Sequence, residues 1–224
     1  MIYPKLAFTC TSGKRLNLFI GMMNSFLRCC KDTDLISSWF IYDDGSSEND
    51  LIEMNKLFPF LTILKNNIGG QYNSLNMLFE KLAGKSDILI LSDGDVFVGE
   101  NSLKHLLKSF EDEKVGCATG RPMSLDSKEN MLGYWSHLLC DAGAHEARLK
   151  RFNKGNMVEC SGYYWAFRNN VVKDFPLDVP EDAIVPIYFW QKGYKVVYVP
   201  EAIVYVSYPK NLHDFIDQKK RTSK

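Results

Sequence analysis

The first half of the chain repeats one pattern four times: a short apolar run, then a stretch with apolar residues three and four apart. Each apolar run ends in the small or acidic residues that form turns. The pattern predicts four strand–helix units, with Ser46 or Ser47 capping the second helix. The predicted strands cover residues 5–11, 37–47, 60–67 and 87–95, and the predicted helices cover residues 14–30, 48–58, 71–83 and 102–110.

Successive strand–helix units predict an α/β fold with a parallel sheet covered by helices on both faces, because parallel neighbours need crossover helices. The second half of the chain is less regular, and residues 121–156 form a long variable segment with a helix. Further strands are predicted at residues 115–119, 158–168 and 194–206, the last as a pair around Pro200, and a helix at residues 181–192.

Polar residues stand at the ends of three predicted strands. They are Thr11-Ser12, Asp43-Asp44 and Asp93-Gly94-Asp95. Ligands of such sheets bind beyond the carboxyl ends of the strands. The sequence therefore predicts a binding site at this edge of the sheet.

Composition narrows the classes of partner. With 224 residues and 46% hydrophobic content, the chain can bury one sizeable core as a single domain. Its 27 basic residues equal its 27 acidic residues, which argues against nucleic acid or an anionic membrane as a partner held by charge alone.

Six cysteines without a CxxC pair predict free thiols. The sequence shows neither a signal peptide nor an apolar stretch of transmembrane length, so we expect a cytoplasmic protein. We expect membrane contact only through flanking segments or a partner.

Asp93-Gly94-Asp95 is the clearest local motif. Two carboxylates one residue apart at a strand end can share a hard divalent cation, and the glycine leaves room for a phosphate or ribose. The same tripeptide is also ordinary turn chemistry.

The other acidic pairs have two interpretations each. Asp43-Asp44 can meet a base, a ribose or a cation, or can cap the helix that follows. Glu181-Asp182 can supply a general base, or can stabilise a helix N-terminus by its negative charge. The basic end of the chain, from Gln218 to Arg221, is either a phosphate contact or a solvated tail.

Several familiar motifs are missing. The TSGKR stretch lacks the first glycine of a P-loop, and no GxGxxG follows a strand. No GxSxG nucleophile and no pair of histidines at zincin spacing occurs.

In their order along the chain, these motifs resemble those of the GT-A fold glycosyltransferases of family 2. Five motifs of that family have counterparts in this chain. In order, they are Asp-Asp-Gly-Ser, Asn-x-Gly, Asp-x-Asp, Gly-x-x-x-Ala-Phe-Arg and Glu-Asp. They correspond to Asp43–Ser46, Asn67–Gly69 with Ser74 and Asn76, Asp93–Asp95, Gly162–Arg168 and Glu181-Asp182, followed by Gly193-Tyr194 and Tyr198–Ala202.

The resemblance implies one GT-A domain with a mixed, mostly parallel sheet sandwiched by helices. Residues 1–119 would form the nucleotide-binding half, residues 120–208 the acceptor-binding half and residues 209–224 a tail. It also implies an inverting transfer of a sugar from a nucleoside diphosphate sugar to a hydroxyl of a glycan or lipid-linked acceptor, assisted by Mn²⁺ or Mg²⁺. The expected donor is a UDP-sugar. The enzyme would act in the cytoplasm or at the cytoplasmic face of a membrane.

The resemblance also assigns roles to residues. Asp182 is the general base, and Asp95 and Asp93 bind the metal. Thr11, Ser12, Asp43, Asp44, Asn67, Gly70 and Asp93 bind the nucleotide sugar, and Glu181, Trp165, Gln218, Arg221 and His213 contact the acceptor or the diphosphate.

Two departures from the family keep alternatives open. The processive synthases carry Gln-x-x-Arg-Trp, whereas here Thr222 follows Arg221. Those synthases also continue into membrane helices, so the chain either adds single sugars or is a domain of a longer protein. A non-catalytic nucleotide-sugar-binding module and a sugar nucleotidyltransferase are the alternative functions.

Overall fold

The computed structural model describes residues 6–12, 16–31, 33–43, 45–65, 80–172 and 180–222, with the backbone alone for residues 6–12 and 221–222. The strands are β1 (Leu6–Ser12), β2 (Ile36–Asp43), β3 (Leu61–Lys65), β4 (Ile88–Asp93), β5 (Phe97–Val98), β6 (Val115–Ser124), β7 (Tyr164–Arg168) and β8 (Lys195–Val206). The helices are α1 (Leu16–Cys29), α2 (Glu48–Leu57), α3 (Ser102–Lys108), α4 (Met131–Leu138), α5 (Ala147–Asn153), α6 (Glu181–Gln191) and α7 (Leu212–Thr222), and a π-helical segment, Leu139–Glu146, joins α4 to α5.

The eight strands form one sheet in the order β3-β2-β1-β4-β7-β6-β8-β5. Strands β1, β2, β3 and β4 run parallel, as do β6 and β8, but β4–β7, β6–β7 and β5–β8 are antiparallel. The α/β class is confirmed, and the expectation of a mostly parallel sheet is wrong because the sheet is mixed. The reason lies in the second half, where β7 enters the sheet beside β4 in the opposite direction.

Side chains of the central strands alternate between two cores. On β4, Ile88 and Ile90 belong to the core that includes Phe26 of α1, whereas Leu89 belongs to the core that includes Phe189 of α6. Because both faces of this strand are covered, it reads as a continuous apolar run and not as an alternating one.

The predicted elements of the first half correspond closely to the observed ones. Ser47 caps α2, because its hydroxyl accepts a hydrogen bond from the Asp50 amide while the Asp50 side chain accepts one from the Ser47 amide. This reciprocal pair stabilises the helix start by about 1 kcal/mol. The helix predicted at residues 71–83 lies largely outside the described residues, of which 80–82 are helical.

The second half differs from the prediction in three places. The strand predicted at residues 158–168 begins only at Tyr164. Residues 195–206 form one strand and not a pair, with a shift in its pairing to β6 near Pro200. The expected tail contains a helix, α7. Within the described residues, no helix is both long enough and apolar enough to cross a membrane.

Truncation of Phe26 tests how much the core that includes this residue contributes to stability. Its ring is fully buried and contacts the rings of Trp39 and Tyr164 edge-on, with centroids 5.7 and 6.3 Å away. We expect Phe26→Ala to lower the free energy of unfolding by about 3 to 5 kcal/mol in urea denaturation, because it leaves a cavity. The neighbouring Leu27, 37% exposed, is the control, and Leu27→Ala should cost far less. Equal losses would contradict this description of the core.

Candidate functional site

The carboxyl ends of three neighbouring strands bring the predicted donor-binding residues into one row. In the register of the sheet, Ser12 of β1 pairs with Asp43 of β2, and Thr11 pairs with Asp93 of β4. Asp43 is buried, and its carboxylate accepts a hydrogen bond from the Ser46 amide at 3.1 Å. Residues that are 31 and 82 positions apart in the sequence thus meet at one edge.

The start of β7 completes this edge. Because β7 runs antiparallel to β4, the residues that precede it lie beside the end of β4, where Ser92 pairs with Tyr164. The Asp93 amide donates to the Tyr163 carbonyl at 3.3 Å, and the Ser92 hydroxyl lies 3.3 Å from the same oxygen. The Asp-Gly-Asp turn is therefore attached to the loop before β7.

Asp182 lies on the other side of this loop, in the first turn of α6. Its carboxylate accepts a hydrogen bond from the Gly162 amide at 2.9 Å, and its carbonyl accepts one from the Cys160 amide at 3.2 Å. A Cβ atom at position 162 would stand 3.2 Å from the same carboxylate oxygen, which is a tight contact. Gly162 therefore allows the loop to approach Asp182 closely.

Burial perturbs both acids at the start of α6. It raises the pKa of Glu181 from 4.5 to about 7, and the neighbouring charge of Asp182 adds to this effect. Burial also raises the pKa of Asp182, although the Gly162 hydrogen bond and the charge of Arg148 oppose it. A helix N-terminus alone would lower both pKa values, so here burial outweighs the helix dipole. Carboxylates with raised pKa values are suited to accepting a proton near neutral pH.

Asp93 and Asp95 are the residues that fit a divalent cation. Asp95 is exposed in the turn, Asp93 is half-buried, and both charges act on the side chain of Tyr163. Within the described residues, no group of three or more His, Cys, Asp or Glu residues can hold a metal by itself. Mg²⁺ commonly takes one or two carboxylates and completes its ligands with substrate phosphates and water. The two aspartates fit a cation of this kind, bound together with a diphosphate.

The remaining predicted residues take different positions. Trp165 is 1% exposed and packs against Phe167 with ring centroids 4.9 Å apart. It therefore belongs to the core that includes Phe189 and offers no face to a sugar. His213 is largely exposed on α7, where it approaches Asp214 and Asp217, each at 3.5 Å. Asp44, Asn67 and Gly70 lie outside the described residues, as do the side chains of Thr11, Ser12 and Arg221.

The segment from Tyr208 to Lys219 is docked on the rest of the protein and is not a free tail. The buried Asp126 accepts hydrogen bonds from the Tyr208 amide, at 3.0 Å, and from Lys210. Along α7, Phe215 contacts Trp135 of α4, and Lys219 lies over the rings of Tyr208 and Phe215. Gln218 is half-buried on this helix.

Sequence reasoning missed two parts of the site. Tyr208 hydrogen bonds with Tyr163, the residue beside Asp93 and Asp95, and so connects the docked tail to the Asp-Gly-Asp turn. Arg148 of α5 approaches Asp182, and it comes from the segment that the sequence left unassigned. No sequence pattern indicated either contact, because both depend on how the second half packs.

A sequence profile described as "Glycosyltransferase like family 2" matches residues 43–224. The chain is 26% identical over 210 residues to a hyaluronan synthase of Streptococcus pyogenes, covering 84% of this chain and 49% of the synthase. It is 27% identical over 199 residues to a poly-beta-1,6-N-acetyl-D-glucosamine synthase of Staphylococcus aureus, covering 81% of this chain and 45% of that protein. The chain thus spans about half the length of these relatives.

Two solved structures share the fold. A mannosyltransferase from Pyrobaculum calidifontis, in complex with GDP-Man and Mn²⁺, matches with a TM-score of 0.70 and 14% identity over 99% of this chain and 65% of its own. GalNAc-T7 with UDP, GalNAc and Mn²⁺ matches with a TM-score of 0.66 and 16% identity over 98% of this chain and 48% of its own. At these identities the likeness shows the fold, that of the GT-A glycosyltransferases.

The buried Glu181 predicts a dependence of stability on pH. Its pKa is about 7 in the folded chain and near 4.5 when unfolded, so the folded state holds the proton more tightly. Stability therefore falls as the pH rises from 4.5 to 7, by about 3 kcal/mol for this group. We expect Glu181→Gln to be more stable than the wild type at pH 8 and similar to it near pH 4.5.

The measurement is thermal unfolding of both proteins across this pH range. Glu113→Gln, at an exposed glutamate, is the control and should leave the pH profile unchanged. A Glu181→Gln profile parallel to that of the wild type would show that Glu181 stays ionised in the folded chain.

Proposed function

Because this chain belongs to glycosyltransferase-like family 2, we propose that it moves a sugar from a nucleoside diphosphate sugar to a hydroxyl group of an acceptor, with inversion at the anomeric carbon. One observation carries the proposal. The Asp93 amide donates a hydrogen bond to the Tyr163 carbonyl, and the Asp182 carboxylate accepts one from the Gly162 amide. Tyr163 and Gly162 are adjacent residues of the loop before β7. A donor site and a base are thereby attached to one short segment.

On the donor side, we assign Thr11, Ser12, Asp43 and Asp93 to the nucleotide and its ribose, together with Asp44, Asn67 and Gly70, which lie outside the described residues. Asp95 and Asp93 would hold Mn²⁺ or Mg²⁺, as the complexes of both structural neighbours with Mn²⁺ support. When bound, the cation supplies Lewis-acid stabilisation of the diphosphate leaving group.

On the acceptor side, Asp182 takes the proton of the attacking hydroxyl. The Gly162 amide fixes one carboxylate oxygen by a hydrogen bond, and we place the acceptor hydroxyl beside this carboxylate. Burial raises the pKa of Asp182, so its affinity for a proton is greater than that of an ordinary aspartate. Glu181, in the same turn, is buried, and burial raises its pKa to about 7.

The acceptor is a glycan or a lipid-linked sugar. The two relatives are named as synthases of polysaccharides, and their names support a polysaccharide as the product. We assign a UDP-sugar as the donor, which the UDP bound in the GalNAc-T7 structure supports. We place the reaction in the cytoplasm or at the cytoplasmic face of a membrane. The free cysteines among the described residues fit a reducing compartment.

The metal assignment predicts that nucleotide binding depends on Asp95. With Mn²⁺ present, we expect Asp95→Ala to weaken UDP or GDP binding at least about tenfold in titration calorimetry, since one of two carboxylate ligands is lost. EDTA should weaken binding to the wild type in the same way. Asp87→Ala, at an exposed aspartate before the other end of β4, is the control. An affinity insensitive to both Asp95→Ala and EDTA would remove the metal from the proposal.

The base assignment separates chemistry from binding. If Asp182 had only a structural role, Asp182→Asn would cost little, because the asparagine oxygen can still accept the hydrogen bond from the Gly162 amide. As the base, its loss should lower kcat by about 10² to 10⁴, while donor affinity stays near that of the wild type.

Turnover and donor affinity are measured on one Asp182→Asn preparation, with circular dichroism to check folding. Asp112→Asn, at an exposed aspartate paired with Lys195, is the matched control. Near-normal turnover in Asp182→Asn would exclude the base role.

A further inference from the structure

Tyr163 lies between the Asp93–Asp95 turn and the docked segment, Tyr208 to Lys219. Its carbonyl accepts hydrogen bonds from the Asp93 amide and the Ser92 hydroxyl, each at 3.3 Å. This distance is just beyond the usual range for such bonds, so a small shift of Tyr163 breaks them. The contact between the turn and the loop before β7 is therefore sensitive to what holds Tyr163 in place.

The Tyr208 hydroxyl holds the Tyr163 side chain. It hydrogen bonds with Tyr163 and with the buried thiol of Cys140, in the π-helical segment. Both tyrosine rings pack against the core that includes Phe26, and Cys140 is part of that core. Burial raises the pKa of both tyrosines, so each keeps its proton at neutral pH and can donate a hydrogen bond. One hydroxyl thereby connects three parts of the chain that are distant in sequence.

Tyr208 is itself fixed from two sides. Its amide donates to the buried Asp126 carboxylate at 3.0 Å, and Lys210, two residues later, pairs with the same carboxylate. The ammonium of Lys219 lies over its ring, with Nζ 5.4 Å from the ring centroid. A side chain held by both its backbone and its ring loses little further freedom when its hydroxyl forms a hydrogen bond. The position of the hydroxyl is therefore set by the docking of the segment.

Two carboxylates that share a cation must stand in a fixed geometry. Asp93 and Asp95 carry like charges one residue apart, and these charges repel each other until a cation is bound. Any freedom of the turn is lost when the cation binds, and this loss weakens binding. A turn that is held in advance loses less freedom and binds the cation more tightly.

We propose that Tyr208 is a positioning residue of the cation site. Its hydroxyl holds Tyr163, and Tyr163 holds the Asp93–Asp95 turn. Docking of the segment therefore sets how tightly the turn binds a divalent cation, and displacement of the segment weakens that binding. The inference rests on the proposed function, because it takes Asp93 and Asp95 as the cation ligands.

The test is the affinity of the full chain for Mn²⁺ in the presence of saturating UDP. It is measured without turnover, from the electron paramagnetic resonance signal of free Mn²⁺. Tyr208→Phe removes the hydroxyl and retains the ring under Lys219. We expect this change to raise the Kd for Mn²⁺ about three- to tenfold, which corresponds to the loss of one hydrogen bond. UDP binding in EDTA should stay as in the wild type, since no cation is bound in either protein.

Two further variants separate positioning from packing. Tyr163→Phe removes the other partner of the same hydrogen bond, so it should weaken Mn²⁺ binding by a similar factor. Because both changes break one bond, the double variant should bind Mn²⁺ no more weakly than the weaker single variant. Tyr205→Phe, at a half-buried tyrosine of β8, is the matched control and should leave the Kd for Mn²⁺ unchanged.

Asp126→Asn tests whether the docked segment sets this position. The change removes the charge that pairs with Lys210 and keeps an oxygen for the Tyr208 amide. It should raise the Kd for Mn²⁺ in the chain that has Tyr208 and cause no further rise in Tyr208→Phe. An equal rise in both backgrounds, or a rise in neither, would contradict the link from the segment through Tyr208 to the turn.

A tyrosine that serves only the core would give a different result. Tyr208→Phe would then lower the melting temperature and leave the Kd for Mn²⁺ at the wild-type value, and that outcome overturns the inference. Additive losses in the double variant also overturn it, since the two hydroxyls would then act independently. A wild-type chain that binds no Mn²⁺ with UDP removes the metal assignment and this inference with it. Normal Mn²⁺ binding without nucleoside diphosphate release from any donor and acceptor pair would instead contradict the proposed function alone.

Discussion

The antiparallel pairing of β4 with β7 is the constraint on which the site depends. In a purely parallel sheet, the residues before a strand lie at the edge opposite to the strand ends. Here the reversal of β7 brings its first residues to the edge where β1, β2 and β4 end, with Ser92 opposite Tyr164. The loop before β7 can then contact the Asp-Gly-Asp turn on one side and α6 on the other.

At the start of α6, the helix dipole and burial have opposite effects on the ionisation of the two acids. A helix N-terminus favours negative charge by about 0.3 to 1 kcal/mol in exposed positions. Removal of Glu181 from water is worth more than this, because its pKa rises to about 7. The protein therefore keeps two acids where they are costly in stability, which is typical of residues retained for chemistry.

The segment between β6 and β7 packs beside the start of α6 and against α7. Its helices α4 and α5, joined by the π-helical segment, place Arg148 beside Asp182 and hold α7 through Trp135. π-helical turns are rare and are often found at functional sites.

The prediction from sequence succeeded where local patterns decide structure. Apolar runs located β1 to β4, and Ser47 was recognisable as a helix cap because capping depends on residues three apart. The order of the acidic motifs was enough to identify the family and to name Asp43, Asp93 and Asp182 as candidates.

Tertiary structure alone decided the direction of β7, the burial of Trp165 and the position of Arg148. A five-residue apolar strand has the same pattern in either direction, so its orientation follows from long-range packing. A tryptophan near a motif reads equally as a sugar platform or as core, and only burial distinguishes the two. Arginine carries no periodic pattern of its own. Its meeting with Asp182, 34 positions away in the sequence, depends on the packing of α5 against the loop before β7.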